Sequence, residues 1–564
     1  MTVLPFLAIT FGAAAASLLS RRNGRISTAA GLLGLGAAAI AAGRIRADDV
    51  LVIGGGEIAG SEYLRLFAVL GSVVALALAV LGLASTSHRN APGVLLAGIG
   101  SAVLALALSD VRIAVLAATA GGLVGILVTI SSPATPRSVT VATRELRALA
   151  VAGVLAILAT AWIGRPLGDL SVVPEVFGFA YVGFAVAVAI RFGAIPFHFW
   201  AARLADAAPE VTLPMLMAWG PASFAVVALA WADQSVAPLL LPLSAERLAV
   251  VAVGAASAML GMLAAAIQDD LEHVVGYTII ADAGIAILAL AALSPDAWAP
   301  AREWILAFVT VRSAFAAWAV AIRGGFRTRR ISELSGWVLR APLLAVALVL
   351  VGVAAVGWPG LMVWDARARL VGLTIAGPVG IAVILSSVAQ LAIYGRLLAV
   401  GLSKPSEAVR GAAGPRPTWP AAIARRDVVG LSPAERAFER GGHAVGGAVD
   451  VFWSVPAAVR ANRALLAGVL AVAVAGLALT VSSGGLGVVE AARAVPAHPS
   501  GPGPLEGPGA SGSEVPASAV PGSEPPASAE PSQPPAVEGG PSEPATSGGG
   551  SPSVPPTFLP VPPS

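Results

Sequence analysis

The stretch Arg191-Phe-Gly-Ala-Ile-Pro196-Phe-His198-Phe-Trp200 closes an apolar span and decides how this chain folds. Proline removes a backbone hydrogen-bond donor, and its ring disturbs the helix that precedes it. Inside a bilayer, the backbone groups that such a break releases must be satisfied by protein or by water. Transporters build ion sites at membrane depth from interrupted helices that carry ionisable residues. The stretch therefore predicts a membrane helix broken at Pro196, with Arg191 and His198 beside the break.

The composition around this stretch is that of a membrane protein. Of the 564 residues, 57% are hydrophobic and 12% are charged, and the mean hydropathy is +0.83. These values lie outside the range of ordinary soluble domains. Apolar runs of about 20 residues, the length that spans a bilayer, recur along most of the chain, and about fourteen can be distinguished. The predicted fold class is an all-α polytopic membrane protein, in which the sixth span is expected to start near Ala148 and the eleventh near Trp304.

The chain divides into four regions by composition. Residues 1–402 form the helical membrane body, and residues 463–484 form a last transmembrane helix. Between them, residues 403–462 are predicted to be a cytoplasmic polar loop, in which Ser432 and Glu435 form a capping pattern that opens an amphipathic segment. Residues 485–564 are rich in Pro, Ser and Gly and too poor in apolar side chains to fold, so a disordered tail is expected.

The arginines are placed unevenly along the loops. Arginine-rich loops alternate with loops that mix acids and fewer bases; the arginines of the first set are Arg21, Arg22, Arg25, Arg89, Arg137, Arg144, Arg147, Arg327, Arg329, Arg330 and Arg340. By the positive-inside rule these loops are cytoplasmic, which places both termini outside the membrane. The same placement explains the basic pI of about 9.8 without nucleic acid as a partner.

The residue types also limit cofactor chemistry. The chain has no cysteine, which excludes disulfides, zinc thiolate sites and iron–sulfur ligation. A Gly-rich phosphate loop between a strand and a helix is absent from the sequence as well. We therefore expect no cofactor and no metal bound by this chain.

Three further groups of residues carry charge into apolar spans. In the segment Gln268–Gly284, Asp282 lies two to three helical turns inside a span, and Arg312 lies in the middle of another. Charged residues at such depth are costly and indicate function by default. A second Pro/Gly break, Gly357-Trp-Pro359-Gly360, is followed by Asp365 and Arg367. Two interrupted helices in separate halves of the body are typical of an inverted-repeat transporter.

Each group also has a structural interpretation that the sequence leaves open. Arg191 could extend along the helix to the membrane surface, and His198 could satisfy the backbone at the break. Asp282 and Arg312 could form an ion pair that only holds two helices together. The acidic run Asp269–Glu272 is interpreted as a solvated loop.

Taken together, these motifs resemble one family of membrane proteins. Arg191 to Thr212 is similar to the pattern Lys-x-x-x-x-Pro-x-His-x-Trp followed by Ala-Pro-Thr-x-Val-(Ser/Thr), which is found in the antiporter-like proton-translocating subunits of respiratory complex I. Mrp-type cation/proton antiporters and membrane hydrogenases share it. Gln268–Gly284 and Gly357–Arg367 resemble two further motifs of the family, and Glu145 to Leu149 resembles the start of its sixth helix. The similarity covers about residues 100–400, and the subunit N type is the most similar.

The departures from the family pattern are as informative as the matches. The resemblance implies a glutamate on the fifth helix, where Thr119 stands, and lysines on the seventh, eighth and twelfth helices. The seventh-helix lysine becomes Arg191, the eighth falls near Gly220 and Pro221, and the twelfth becomes Arg367. Arg312 stands near another lysine of the pattern. A buried lysine exchanges its proton readily, whereas arginine retains it.

The resemblance implies a divergent antiporter-like subunit that takes part in proton translocation without redox chemistry of its own. The candidate path residues are Arg191, His198, Asp282, Arg312, Asp365 and Arg367, with Pro196 and Pro359 as the helix breaks. The expected partners are the lipid bilayer and other membrane subunits of a complex I-type, hydrogenase or antiporter assembly, in a bacterial cell membrane. Two alternatives remain open: a non-conducting structural paralogue and a stand-alone Mrp-type antiporter subunit.

Overall fold

The computed structural model describes most of the predicted membrane body. The described residues are 2–47, 49–54, 56–82, 91–131, 136–163, 174–208, 210–375, 377–407, 409, 469–470 and 472–477. Most of the predicted loop 403–462, with its amphipathic segment, and the whole predicted tail 485–564 lie outside them. Of the predicted last span, 463–484, only 469–470 and 472–477 are described, and these residues are helical.

The described chain is built almost entirely from α-helices, as the composition predicts. The first nine are α1 (Val3–Leu19), α2 (Gly24–Gly43), α3 (Glu62–Gly82), α4 (Ala91–Ala107), α5 (Val111–Ser131), α6 (Pro136–Ile163), α7 (Pro174–Phe192), α8 (Ala201–Ala207) and α9 (Gly220–Ser235). They are followed by α10 (Ser244–Ile267), α11 (Leu271–Ala292), α12 (Pro295–Phe326), α13 (Trp337–Arg340), α14 (Pro342–Val356), α15 (Met362–Thr374), α16 (Pro378–Val388) and α17 (Gln390–Leu402).

A β-hairpin between α2 and α3 was not predicted. Its strands β1 (Val50–Ile53) and β2 (Gly56–Ala59) pair antiparallel, and the backbone N–H of Ser109 donates to the carbonyl of Glu57 at 3.0 Å. The sequence carries the signal for it, a run of β-branched residues followed by consecutive glycines. Gly54 at the turn has a φ of +56°, which glycine adopts without steric cost.

The described helices are long and apolar enough for a polytopic membrane protein. Within the described ranges nine helical segments meet the length and hydropathy of a membrane span, and four shorter apolar helices accompany them. The apolar part of Pro295–Phe326 is fully buried and that of Leu271–Ala292 nearly so, so α12 and α11 form the centre around which the other helices pack. The count of about fourteen spans stays a prediction.

Two helices begin well before the residues that the hydropathy predicts. Helix α6 starts at Pro136 and not near Ala148, and α12 starts at Pro295 and not near Trp304. The charged residues at the start of α6 interrupt the apolar run but not the helix, because Arg144 and Arg147 are exposed while Glu145 between them is buried. Glu145 therefore belongs to a packed helix and not to a loop.

Both predicted helix breaks are present in the structure. Helix α7 ends at Phe192, where Gly193 takes a φ of +62°. The carbonyl of Ile190 then accepts from the N–H of Gly193 and from Nε1 of Trp200, each at 3.0 Å. The helix resumes as α8 at Ala201. The freed backbone is thus satisfied by local groups, as a break inside a bilayer requires.

The second break separates α14 from α15. Helix α14 ends at Val356, and Gly357 and Gly360 follow with φ values of +66° and +90°. A third irregularity, which the sequence did not predict, is a π-helical turn at Met215–Trp219, directly before α9. Such turns are rare and frequently occur at functional sites.

Helices α10 and α11 approach each other most closely at glycines. A Cβ on Gly284 would lie under 3.0 Å from the backbone carbonyl of Gly254 and the backbone nitrogen of Ala258. Small residues at helix contacts allow this close approach in membranes. The contact fixes α11, and with it Asp282, against α10.

Candidate functional site

The ion pair between Asp282 and Arg312 lies at the centre of the helical body. Asp282 is on α11 and Arg312 on α12, and their side chains are 4% and 0% exposed. The distance from Nε of Arg312 to Oδ2 of Asp282 is 2.6 Å. The sequence predicted both residues but could not predict that they would meet, because their pairing depends on how α11 packs against α12.

Two polar residues of α17 complete this centre. The guanidinium of Arg312 donates from Nη1 to the hydroxyl of Tyr394 at 3.2 Å and from Nη2 to Oε1 of Gln390 at 2.9 Å. Nε2 of Gln390 in turn lies 3.4 Å from Oδ1 of Asp282. Each nitrogen of the guanidinium and each oxygen of the carboxylate therefore has a partner. The sequence motifs did not point to Gln390, although a polar side chain in an apolar span was a signal for it.

Arg367 lies beside this centre and anchors the second break. Its Nη1 and Nη2 donate to the carbonyls of Val356 and Ala355 at 2.9 and 3.1 Å, at the end of α14. A cation at a helix C-terminus is favourable because the last carbonyls are unsatisfied and carry partial negative charge. The guanidinium also lies 4.8 Å from the ring centroid of Trp304, whose Nε1 donates to the carbonyl of Asp282 at 3.1 Å. Trp304 thus connects Arg367 to the ion pair.

Besides Asp282 on α11, a buried acid on α12 lies near this centre, and the sequence motifs did not point to it. Glu303 is 0% exposed, and its Oε2 lies 3.3 Å from Nη2 of the partly exposed Arg369 on α15. This ion pair joins the centre of the body to the segment that follows the second break.

Arg191 occupies a separate polar cavity in the other half of the body. It is 6% exposed, its Nη2 donates to the carbonyl of Ala118 at 3.4 Å, and its guanidinium lies 6.0 Å from the ring centroid of Phe224. The cavity measures about 30 Å³ and is also lined by Ser101, Ser223 and Glu145. Since a water needs roughly 10–15 Å³ of such volume, the cavity has room for water.

Glu145 of α6 is the acid of this cavity. It is 4% exposed, and among the described residues neither its Oε2 nor Nε of Arg191 has a hydrogen-bond partner. Thr119, which stands where the family pattern has its glutamate, donates only to the carbonyl of Val115 of its own helix, at 2.7 Å. The acid is therefore supplied by α6 and not by α5. Sequence reasoning missed it because Arg144 and Arg147 on either side suggested a loop.

Helix α5 makes room for both charged groups with two glycines. A Cβ on Gly122 would lie under 3.0 Å from the guanidinium of Arg191, and a Cβ on Gly125 would lie under 3.0 Å from Oε1 of Glu145. Residues three apart share one face of a helix. The guanidinium and the carboxylate thus lie against the same face of α5, one turn apart.

Two of the predicted path residues lie neither in the Asp282–Arg312 centre nor in the Arg191 cavity. His198 is half-buried and stacks on Phe199 with ring centroids 4.6 Å apart. Asp365 is half-buried, and its Oδ1 accepts from the backbone N–H of Gly360 at 3.3 Å, so it closes the turn of the second break. Pro196 and Pro359 are exposed. The structure brings Asp282, Arg312 and Arg367 together and leaves Arg191 apart.

A buried hydrogen bond connects the segments next to the Arg191 cavity and the ion pair. Nε1 of Trp219 donates to the hydroxyl of Ser313 at 3.0 Å, and both side chains are buried. Ser313 follows Arg312 in the sequence, and Trp219 precedes Gly220, which lines the Arg191 cavity. Trp219 ends the π-helical turn, so this turn lies between the cavity and the ion pair.

The acidic run at the start of α11 differs from the predicted solvated loop. Glu272 is buried, and Arg323 of α12 bridges it to Glu210. Asp270 pairs with Arg329 at 2.8 Å. The run therefore ties the ends of α11 and α12 together. In the described part of the chain, no group of three His, Asp or Glu side chains is placed to hold a metal ion.

Comparison with known proteins assigns the chain to a family of membrane proteins. A family model described as NADH:quinone oxidoreductase/Mrp antiporter, TM, matches residues 110–393, half of the chain. The chain is 30% identical over 246 residues to NADH-quinone oxidoreductase subunit N of Halorhodospira halophila, which covers 41% of this chain and 50% of that protein. It is 33% identical over 165 residues to subunit N 2 of Solidesulfovibrio magneticus, covering 29% and 34%. The chain thus matches half or less of the length of these curated relatives.

Solved structures share the fold over a larger part of the chain. A chain of the Mrp complex from Dietzia sp. DQ12-45-1b has a TM-score of 0.63 at 19% identity and covers 88% of this chain and 97% of its own length. A chain of respiratory complex I from Thermus thermophilus has a TM-score of 0.60 at 19% identity and covers 85% and 97%. At this identity the likeness concerns the fold.

Proposed function

Because the chain belongs to the NADH:quinone oxidoreductase/Mrp antiporter transmembrane family, we propose that it takes part in proton translocation as a membrane subunit of a complex I-type assembly. The curated relatives of Halorhodospira halophila and Solidesulfovibrio magneticus are named as subunit N of NADH-quinone oxidoreductase. In such an assembly this chain would be a non-redox subunit, and other membrane subunits would be its partners.

The observation that carries the proposal is the buried Asp282–Arg312 centre. A carboxylate and a guanidinium 2.6 Å apart inside a membrane protein are costly to desolvate and are a functional site by default. Arg312 keeps its proton, so Asp282 is the member of the pair that changes charge. Arg367, held against the end of α14, adds a second buried positive charge beside this pair.

The proposed event at this centre is an exchange of partners. When Asp282 takes up a proton, its attraction to Arg312 is lost, and Gln390 and Tyr394 remain to accept from the guanidinium. When the proton leaves, the ion pair forms again. The broken helix between α14 and α15 supports this proposal, since interrupted helices line ion sites in transporters.

We propose that the chain lies in a bacterial cell membrane with both termini outside the cell. The chain is a multi-pass membrane protein, and the arginine-rich loops that the positive-inside rule assigns to the cytoplasm include Arg21, Arg25 and Arg327–Arg330. Arg144 and Arg147 are not in a loop: they lie in the first half of α6, on its exposed face.

One observation favours a second candidate, a non-conducting structural paralogue. The Asp282–Arg312 centre is fully hydrogen-bonded, and a satisfied buried network also stiffens and specifies a core. In that case the ion pair would hold α11, α12 and α17 together. The likeness to a chain of the Dietzia Mrp complex keeps an Mrp-type antiporter subunit as the third candidate.

The test is proton flux in sealed proteoliposomes that contain the full chain or its native assembly. Wild type is compared with Asp282→Asn and His198→Ala, and Asp296→Asn, an exposed acid at the start of α12, is the matched control. The proposal expects flux that Asp282→Asn abolishes while Asp296→Asn retains it. Because His198 lies outside the buried centre, His198→Ala is expected to retain most of the flux. Flux that survives Asp282→Asn would contradict the proposal, and absence of flux in folded wild type would favour the structural paralogue.

A further inference from the structure

We propose that Glu145 on α6 is a proton-binding group of the Arg191 cavity. The inference rests on the proposed function and adds to it a second titratable site in the other half of the body. No part of the sequence pattern assigned a role to this residue, which corresponds to an apolar position at the start of the family's sixth helix.

The first argument is the state of the carboxylate. Glu145 is 4% exposed, and among the described residues Oε2 has no hydrogen-bond partner. A buried carboxylate oxygen without a partner is costly to keep, so a carboxylate that only stabilised the fold would be expected to have both oxygens hydrogen-bonded. Asp282 differs from Glu145 in this respect, because Arg312 contacts its Oδ2 and Gln390 contacts its Oδ1. Glu145 has lone pairs available for a proton or a water.

The second argument is the space around the carboxylate. The cavity of about 30 Å³ is lined by Glu145, Arg191, Ser101 and Ser223 among others, and it has room for a water that could carry the proton. On α5, Gly125 leaves the volume that Glu145 occupies. Any larger residue there would displace the carboxylate.

The third argument is the charge balance of the cavity. Arg191 is the other ionisable residue that lines it, and arginine retains its proton. Helix α5 has no acid between Arg112 and Arg137, α7 contributes Arg191 and the exposed Glu175, and Arg144 and Arg147 of α6 are exposed. Uptake of a proton forms an O–H bond on Glu145 and leaves the charge of Arg191 uncompensated. Release returns the proton to water and restores the opposite charges.

The experiment compares Glu145→Gln and Glu145→Asp with Glu175→Gln, an exposed acid at the start of α7, in proteoliposomes of the full chain or its assembly. Glutamine keeps the shape of the side chain but cannot bind a proton at neutral pH. Since a positioned proton-transfer group contributes roughly 10²-fold or more to a rate, we expect the flux to fall at least about tenfold in Glu145→Gln. Glu145→Asp is expected to retain part of it, and Glu175→Gln all of it.

A second variant tests the position of the carboxylate without removing it. Gly125→Ala is expected to lower the flux, because the added Cβ displaces Oε1 of Glu145. Gly183→Ala on α7 is the matched control, since a Cβ at that position meets nothing within 4 Å. Equal flux in the two variants would contradict the inference.

Infrared difference spectra across a pH titration separate this inference from the proposed function. A carboxyl band that titrates in wild type and is lost in Glu145→Gln supports the inference, even in a preparation that shows no flux. Unchanged spectra and unchanged flux in a folded Glu145→Gln variant would overturn it. Flux absent from wild type contradicts the proposed function, and the carboxyl band then decides the role of Glu145.

Discussion

Arginine and lysine differ in how they serve at buried positions, and this chain uses arginine throughout its body. Lys404, its single lysine, lies after α17, whereas Arg191, Arg312 and Arg367 are buried. Arginine presents five donors in a planar group and keeps its charge. Each of these residues therefore holds a fixed positive charge, and in our proposals the acids Asp282 and Glu145 are the groups that bind and release a proton.

Removal of the acid of the central pair is expected to destabilise the protein. In Asp282→Ala, the guanidinium of Arg312 is left buried without its anion, which costs about 3–5 kcal/mol for a buried pair. Thermal unfolding in detergent would measure the loss. Asp296→Ala, an exposed acid on α12, is the control and is expected to change stability by less than about 0.5 kcal/mol. Equal melting temperatures for the two variants would contradict a buried, charged pair.

Arg191→Lys is expected to make the first cavity more responsive to pH. A lysine in a buried position loses its proton far more readily than arginine, because desolvation disfavours the charged ammonium. Proton flux of this variant is expected to become more dependent on pH in the alkaline range than that of wild type. Arg203→Lys on the exposed face of α8 is the control. A pH profile that is the same for wild type and Arg191→Lys would argue against a role of the residue 191 charge in transport.

At the scale of the helices, the two breaks position buried arginines, and glycines determine how closely neighbouring helices approach. Arg367 holds the end of α14 through the carbonyls of Val356 and Ala355, so the second break is built around a buried cation. At the first break the freed carbonyl of Ile190 is satisfied by Gly193 and Trp200. The guanidinium of Arg191 is therefore not needed as a donor at the break, and it lies in the cavity.

The contact between α10 and α11 offers a test with a matched pair of glycines. A Cβ on Gly284 would overlap the backbone of α10, whereas a Cβ on Gly276 of the same helix would meet Cε of Met217 at 3.6 Å, an ordinary contact. Gly284→Ala is expected to destabilise the protein by about 1–3 kcal/mol through overpacking. Gly276→Ala is expected to be neutral or to stabilise it by up to about 1 kcal/mol through helix propensity. Thermal unfolding of both variants checks this, and a smaller loss for Gly284→Ala than for Gly276→Ala would contradict the packing.

At the scale of the whole molecule, the Arg191 cavity and the Asp282–Arg312 centre are two separate polar sites. Trp219, the sequence neighbour of Gly220 in the cavity lining, donates to Ser313, the neighbour of Arg312. The π-helical turn that carries Trp219 directly precedes Gly220 and Pro221, near which the family pattern has its eighth-helix lysine.

The orientation of the molecule in the membrane can be tested directly because the chain has no cysteine. Val52 on the hairpin is 68% exposed and Lys404 is exposed after α17. The positive-inside rule places the hairpin outside and Lys404 in the cytoplasm. In intact cells, a membrane-impermeant thiol reagent is expected to label Val52→Cys, and to label Lys404→Cys only after permeabilisation. The reverse pattern would invert the predicted topology.

The sequence by itself determined the membrane class, the helical fold and the two helix breaks. Each follows from local physics: apolar length sets the spans, and Pro together with neighbouring Gly interrupts the helix at the two breaks. The hairpin Val50–Ala59 had a local signal too, although hydropathy alone did not reveal it. The family resemblance needed only the motifs around Arg191, Asp282 and Arg367.

Tertiary structure alone decided which charges meet. Asp282 and Arg312 are separated by a turn between two helices, and Gln390 and Tyr394 come from a third helix far along the chain. Glu145 resembled a loop residue, because the exposed Arg144 and Arg147 beside it interrupt the apolar run on which hydropathy depends. Its burial follows from helical periodicity and from the room that Gly125 leaves on α5. The partner of a buried charge is set by helix packing, which no local pattern records.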